Sequence, residues 1–172
     1  MSETASQFSQ RVMPHSHRLF AVAMRFLHRP EEAEDIVQDL FVKLWERREE
    51  LPPGDELLPF MLTMVRNLCI DRLRHLEVKG ETESSIEMLA QPPGEAFVEE
   101  SSIEDRDRLR HLIRLMTDLP PLQQQVLRLR AFQQLETDQI ARLLHLTNEN
   151  VRQLLSRARR QLKINANRQD IL

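Results

Sequence analysis

The sequence predicts an all-α protein built as two small helical domains joined by an acidic flexible linker. Three observations lead there. Apolar residues recur at helical spacing along both ends of the chain. Three Gly and no Tyr argue against a turn-rich β protein. Charge is also sharply divided: residues 1–75 hold 10 Lys/Arg against 12 Asp/Glu, residues 76–107 hold 2 against 10, and residues 108–172 hold 12 against 5. A near-neutral front, an acidic middle and a basic end therefore make up a 172-residue chain of net charge −3.

In the front domain, Phe8, Val12, Leu19, Phe20, Ala23, Met24 and Leu27 form a helical stripe that Pro14 breaks or starts. Arg29-Pro30 turns the chain, and Pro30 suits the first position of the next helix. Glu31, Glu32, Glu34 and Asp35 crowd its first turns, where the helix dipole favours negative charge. This helix, predicted to run to about Arg47, is the most regular in the chain. Ala33, Ile36, Val37, Leu40, Phe41, Leu44 and Trp45 fall on one wide face. Asp35, Gln38, Asp39, Val42 and Glu46 hold the opposite face. A single exposed Val is commonplace; an acidic rim around a small apolar centre is also what a basic partner helix needs.

Leu51-Pro52-Pro53-Gly54-Asp55 reads as a loop. A helix then runs from about Glu56 to His75, apolar at Leu57, Phe60, Met61, Met64, Val65, Leu68 and Cys69. Its polar arc gathers Thr63, Asn67 and Arg74, with Arg66 and Asp71 at the edges and Ile70 between. Residues 76 to about 101 carry acids, Ser, Pro and Gly with few apolar side chains, so an extended or disordered linker is expected.

In the rear domain Pro120 and Pro121 suit a helix start, followed by Leu122, Val126, Leu127 and Leu129. Thr137 or Asp138 should cap a short helix containing Ile140, Ala141 and Leu144, and the small Ala141 lets two helices cross closely. His145 follows, where a left-handed residue, usually Gly, is expected; His is among the more tolerant substitutes. Thr147 should cap the last helix, with Val151, Leu154, Leu155, Ala158 and Leu162 as its buried stripe. The other faces carry Asn148, Asn150, Arg152, Gln153, Ser156, Arg157, Arg159 and Arg160. Amides and guanidinium forks reach base edges, and further arginines neutralise phosphates. One amphipathic helix with solvated arginines would look similar; the capped short helix, the turn and the basic helix together point to a DNA-binding helix-turn-helix.

Other classes find little support. No run of about 18 apolar residues could span a membrane, and MSETASQFSQ lacks the basic flank and apolar core of a secretory signal. The one cysteine, Cys69, cannot form an internal disulfide, in keeping with a reducing cytoplasm. It falls on the apolar side of its helix, as a small buried hydrophobe would. His15, His17 and His28 are too loosely spaced for a metal site. No Gly-rich phosphate loop, metal-spaced His/Cys set or nucleophile–base pair appears, so no enzyme, catalytic residue, metal or cofactor is expected.

The segments AEDIVQDLFVKLW (33–45), VRNLCIDRLR (65–74), LPPLQQQVLRLR (119–130), DQIARLLHLT (138–147) and VRQLLSRARRQL (151–162) together resemble a bacterial RNA polymerase sigma factor of the extracytoplasmic-function group, which keeps only the second and fourth conserved sigma regions. The resemblance implies a region 2 domain at 8–76, an acidic linker at 77–104 and a region 4 helix-turn-helix domain at 105–165. It places Asp35, Gln38, Asp39, Val42 and Lys43 against the clamp helices of the largest polymerase subunit. It assigns Arg66, Asn67, Asp71, Arg72 and Arg74 to the minus-10 promoter element, and the loop from about Glu49 to Asp55 to a flipped-out base, whose extrusion costs a few kcal/mol. The last helix, through Asn148, Asn150, Arg152, Gln153, Ser156, Arg157 and Arg160, would read the minus-35 element. Phe60, Leu62 and Thr63 stand where members often carry Trp, Tyr and Arg, so residues 60–63 are assigned no base-stacking role.

Partners implied by the resemblance are core RNA polymerase, promoter DNA and an anti-sigma factor, with no membrane insertion. A linker of about 26 residues spans at most ~85 Å, enough for promoter elements roughly 34–70 Å apart. Its acids either imitate an RNA backbone in a basic channel or merely solvate a tether. A helix-turn-helix regulator that never joins polymerase is the alternative function; the front half, which shows no strand pattern of a sensory domain, speaks against it.

Overall fold

A computed structural model describes residues 2–80, 89 and 102–170, and every regular element among them is helical. The chain divides into two compact units, Met1–Ile86 and Glu87–Leu172.

The first unit holds α1 (Ala5–Val12), α2 (Ser16–Leu27), α3 (Pro30–Glu46) and α4 (Leu57–Val78). Thr4 and Gln7 cap α1 reciprocally: the Gln7 N–H donates to Thr4 Oγ1 at 3.3 Å and the Thr4 N–H donates to Gln7 Oε1 at 2.9 Å. Pro14 lies in a 3₁₀ turn, Met13–His15, that separates α1 from α2. The α2 helix packs on both α3 and α4, which also pack on each other. Ala33, Ile36, Val37, Leu40 and Leu44 are buried along the predicted stripe of α3, with Phe41 and Trp45 half-buried. Phe8 meets Trp45 edge-on at 5.2 Å, which pins α1 to the end of α3. On α4, Leu57, Met61, Val65, Cys69 and Leu73 are buried. Ile70, expected among polar neighbours, is fully buried as well. The covered arc of α4 is thus wider than its own periodicity implies, because two helices pack on it.

The second unit holds α5 (Ile103–Thr117), α6 (Pro121–Phe132), α7 (Thr137–Leu144) and α8 (Asn148–Asp170). The α5 helix adds to the sequence-based expectation. Its signal is Ser102, whose Oγ accepts from the Asp105 N–H at 3.2 Å, followed by Leu115 and Met116, both buried. At α7 the cap is Glu136, one residue before Thr137: Gln139 at the third helical position reaches back to accept the Glu136 N–H at 2.8 Å. Arg130 ties down the turn before it, donating to the Leu135 carbonyl and to Glu136, both at 2.9 Å. The α8 helix packs on α5, α6 and α7, burying Val151, Leu155 and Ala158.

The acidic linker expected at 77–104 lies largely outside the described residues. Within them α4 runs on to Val78, α5 begins at Ile103, and Leu89 is buried, its carbonyl accepting from Gln133 Nε2 at 3.1 Å.

Between α7 and α8, His145 takes the left-handed conformation, at φ 56° and ψ 42°. The Leu146 N–H returns to the Ala141 carbonyl at 2.9 Å, closing α7 as a Schellman-type end. Left-handed backbone costs a non-Gly residue about 1–2 kcal/mol, while Gly loses roughly 0.5–1 kcal/mol of chain entropy on folding. The backbone contribution of His145→Gly is therefore a gain of about 0.5–1 kcal/mol, set against the loss of the imidazole's own interaction, and the melting temperature of this unit reads the sum.

Candidate nucleic-acid interface

Asp35, Gln38, Asp39, Val42 and Lys43 are all exposed along one face of α3, and Val42, at 57% exposure, is among the most open large apolar side chains described. Their 3-1-3-1 spacing follows from the same helical period that buries Leu40 and Leu44 on the far side. The face is a shallow apolar spot between carboxylates.

The α4 candidates divide. Asn67, Asp71 and Arg74 lie on one arc with Arg66; Asp71 and Arg74 are exposed, Arg66 and Asn67 half-buried. Burial of Arg25 on α2, and after it the like charge of Arg66, lower the Arg25 pKa. Arg72 lies roughly 140–160° round the helix from Asn67 and Arg74. It forms an ion pair with Glu32 in the first turn of α3.

The loop after α3 faces α1 across an open cavity of about 890 Å³. Arg11 bridges the two sides, donating to Glu3 Oε1 at 2.9 Å and to the Pro52 carbonyl at 3.2 Å. Glu49 Oε1 accepts from Ser2 Oγ at 2.8 Å and from the Glu3 N–H at 3.1 Å. These two donations hold its carboxyl below the usual carboxylate range. Gly54, at φ 55°, makes a bend in this loop that strains any residue with a Cβ. The resemblance assigns only the loop side, about Glu49 to Asp55. Nothing local in Gln7, Gln10 or Arg11 signals the other wall, since their approach to the loop crosses some forty residues of sequence.

At α8, Thr147 caps the helix as expected, its Oγ1 accepting the Asn150 N–H at 3.1 Å. Asn148, Asn150, Arg152, Gln153, Ser156, Arg157 and Arg160 are all exposed. Gln153, Ser156, Arg157 and Arg160 share one face at i, i+3, i+4 and i+7. Arg157, Arg160 and Gln161 line a second cavity of about 450 Å³ with Asp118, Pro120 and Gln123.

Cys69 is buried, and desolvation pushes its thiol up to about 12. In native protein between pH 7 and 8.5 it should resist iodoacetamide, and labelling should rise only along the denaturant unfolding curve; rapid native labelling would show that α4 opens locally. Among the described residues, no group of three His, Cys, Asp or Glu could hold a metal ion, and no helix is long and apolar enough to cross a membrane.

Residues 12–77 match Sigma-70 region 2, and residues 109–162 match Sigma-70, region 4. The chain belongs to the sigma-70 family. Only 31 residues separate the two matched regions, the layout of an extracytoplasmic-function sigma factor. It is 31% identical over 143 residues to a protein of Xanthomonas campestris pv. campestris described as "Probable RNA polymerase sigma factor RfaY", an alignment covering 81% of this chain and 35% of that one. The chain thus spans about a third of the length of that relative. Two solved structures also align. The sigma factor RpoE of Bartonella quintana, in complex with the anti-sigma factor NepR, is 20% identical over 95% of this chain and 98% of its own, with a TM-score of 0.42. CnrH, in complex with the cytosolic domain of CnrY, is 19% identical over 95% and 90%, with a TM-score of 0.38. In this sigma factor region 2 takes in α2, α3 and nearly all of α4, whereas α1 lies almost wholly ahead of the match. Region 4 runs from within α5 into α8.

Proposed function

We propose that this sigma factor joins core RNA polymerase and directs it to promoters in the cytoplasm, contributing specificity and strand trapping while polymerase supplies the chemistry. The observation that carries the reading is the presence of regions 2 and 4 in one chain. Residues 8–76 serve polymerase and the minus-10 element, residues 105–165 the minus-35 element, and residues 77–104 the connection. The exposed α3 face, from Asp35 to Lys43, docks on the clamp helices of the largest subunit. Arg66, Asn67, Asp71 and Arg74 approach minus-10 DNA. Arg72, held by Glu32, braces α4 against α3 and leaves the DNA-contacting set. On α8, Asn148, Asn150, Arg152, Gln153, Ser156, Arg157 and Arg160 enter the major groove of the minus-35 element. An anti-sigma factor regulates it by covering the exposed faces of the two regions.

The deciding experiment mixes the purified chain with core polymerase and scores promoter-dependent transcripts from a genomic fragment library. Discrete transcripts that require the chain are the expected result. DNA binding without polymerase association would overturn the reading in favour of a free-standing regulator.

A further inference from the structure

The second compact unit begins at Glu87, well ahead of its first long helix, α5. Within that advance Leu89 is 1% exposed, as covered as the core leucines Leu40 and Leu129. Its carbonyl accepts from Gln133 Nε2 at 3.1 Å. Gln133 sits just past α6, in the turn that leads to α7. A buried side chain and a bonded backbone carbonyl thus tie one residue of the acidic stretch to the unit that carries region 4. In sequence, Met88, Leu89 and Ala90 form a short apolar run between the acids and Pro92-Pro93-Gly94.

Covalent geometry gives this tie a consequence. Leu89 lies 11 residues beyond Val78, the last residue of α4, and Ile103, the first of α5, lies 25 beyond it. An extended chain covers at most about 3.3–3.6 Å per residue, so the first span reaches ~36–40 Å and the second ~82–90 Å. Promoter elements one to two helical turns apart lie roughly 34–70 Å from each other, and fixed offsets inside each unit add to either span. A tether that ends at Leu89 serves close spacings and strains at wide ones; a tether that ends at α5 serves both. We propose that Leu89, held with Gln133 on the region 4 unit, is a specificity-determining residue for promoter spacing: it shortens the working tether to residues 79–88 and so disfavours promoters whose two elements lie far apart. The inference rests on the proposed function, which puts the two units on separate promoter elements, and it assigns the choice of spacing to the chain itself.

The test uses holoenzyme assembled from core polymerase and the full chain. About ten Gly/Ser residues, ~33–36 Å of reach, are inserted either after Gly80 or after Gly94. Each protein transcribes a promoter series in which the two elements are moved apart in single-base-pair steps through one further turn of DNA, ~34 Å. The insertion after Gly80 lengthens the working tether and should raise transcript yield at the widest spacing, relative to the parent spacing, on the order of tenfold. The insertion after Gly94 lies beyond the tie and should leave the wild-type profile unchanged. Leu89→Asp, which releases the tie, should behave as the first insertion, and Leu89→Met as wild type. A uniform tether answers to both insertions alike, so equal effects overturn the inference; so do profiles identical in all the proteins. Where Leu89→Asp unfolds the second unit, shown by its melting curve, the pair of insertions decides. Either overturning result leaves the functional reading intact, whereas failure of the wild-type chain to join polymerase overturns both.

Discussion

An Asp39→Arg variant should fold as the parent does and lose core RNA polymerase. Asp39 is exposed on α3, and no ion pair within the described residues engages it, so the core formed by Leu40 and Leu44 has no stake in its charge. The proposed partner surface is helical and basic. Reversing a carboxylate at such an interface removes an attractive charge and places a like charge against the partner, a change of the kind that costs about 2–5 kcal/mol. That is on the order of 30-fold to several thousand-fold in affinity. The check is a binding titration of labelled chain with core polymerase beside a thermal melt. Retained binding would take the α3 face out of the interface; lost binding with a lowered melting temperature would trace the effect to the fold. Salt dependence adds a second discrimination, because a contact made mainly through exposed charge weakens as screening shortens to about 8–10 Å.

Where local periodicity meets one buried face, the sequence is sufficient to place an element and its outward residues. On α3 the same 3.6-residue period that puts Leu40 and Leu44 inside puts Asp39 and Val42 outside. The Thr147 cap and the left-handed His145 were legible for a related reason, since both are set by backbone geometry within a few residues. Ile70 was not. Its burial depends on how many neighbours α4 has, and a helix packed on two sides hides residues that its own polar arc seems to expose. Arg72 shows the converse: the motif groups it with Arg66 and Asn67, but its angular position and Glu32 take it to the other side. The α5 helix escaped notice because only Leu115 and Met116 are fully buried in fifteen residues, while charges occupy most of its first two turns. The α1 wall of the cavity was beyond reach for a different reason. Its approach to the loop is made by Arg11 and the Pro52 carbonyl, a long-range contact between a surface side chain and a backbone atom, which leaves no pattern in sequence.

Arg157→Ala bears on the other half of the molecule. Arg157 is exposed on the polar face of α8, one helical turn beyond Gln153 and beside Arg160 at the rim of the cavity shared with Pro120 and Gln123. A guanidinium pairing bidentately with a guanine edge is worth about 1–3 kcal/mol of discrimination. On that footing the substitution should weaken binding to the preferred minus-35 sequence roughly 5- to 150-fold, with the loss concentrated at one base pair. A phosphate contact behaves otherwise: binding falls on all sequences alike and the slope of log affinity against log salt shrinks by about one. The two outcomes are separated by titrating wild type and variant on a set of single-base-pair substitutions at two salt concentrations. Helix geometry favours the first, because Gln153, Ser156, Arg157 and Arg160 form one outward row, and a helix laid in the major groove turns such a row toward the bases. A uniform loss with a reduced salt slope would instead assign Arg157 to positioning and leave sequence readout to Arg152, Gln153 and the two asparagines of the first turn.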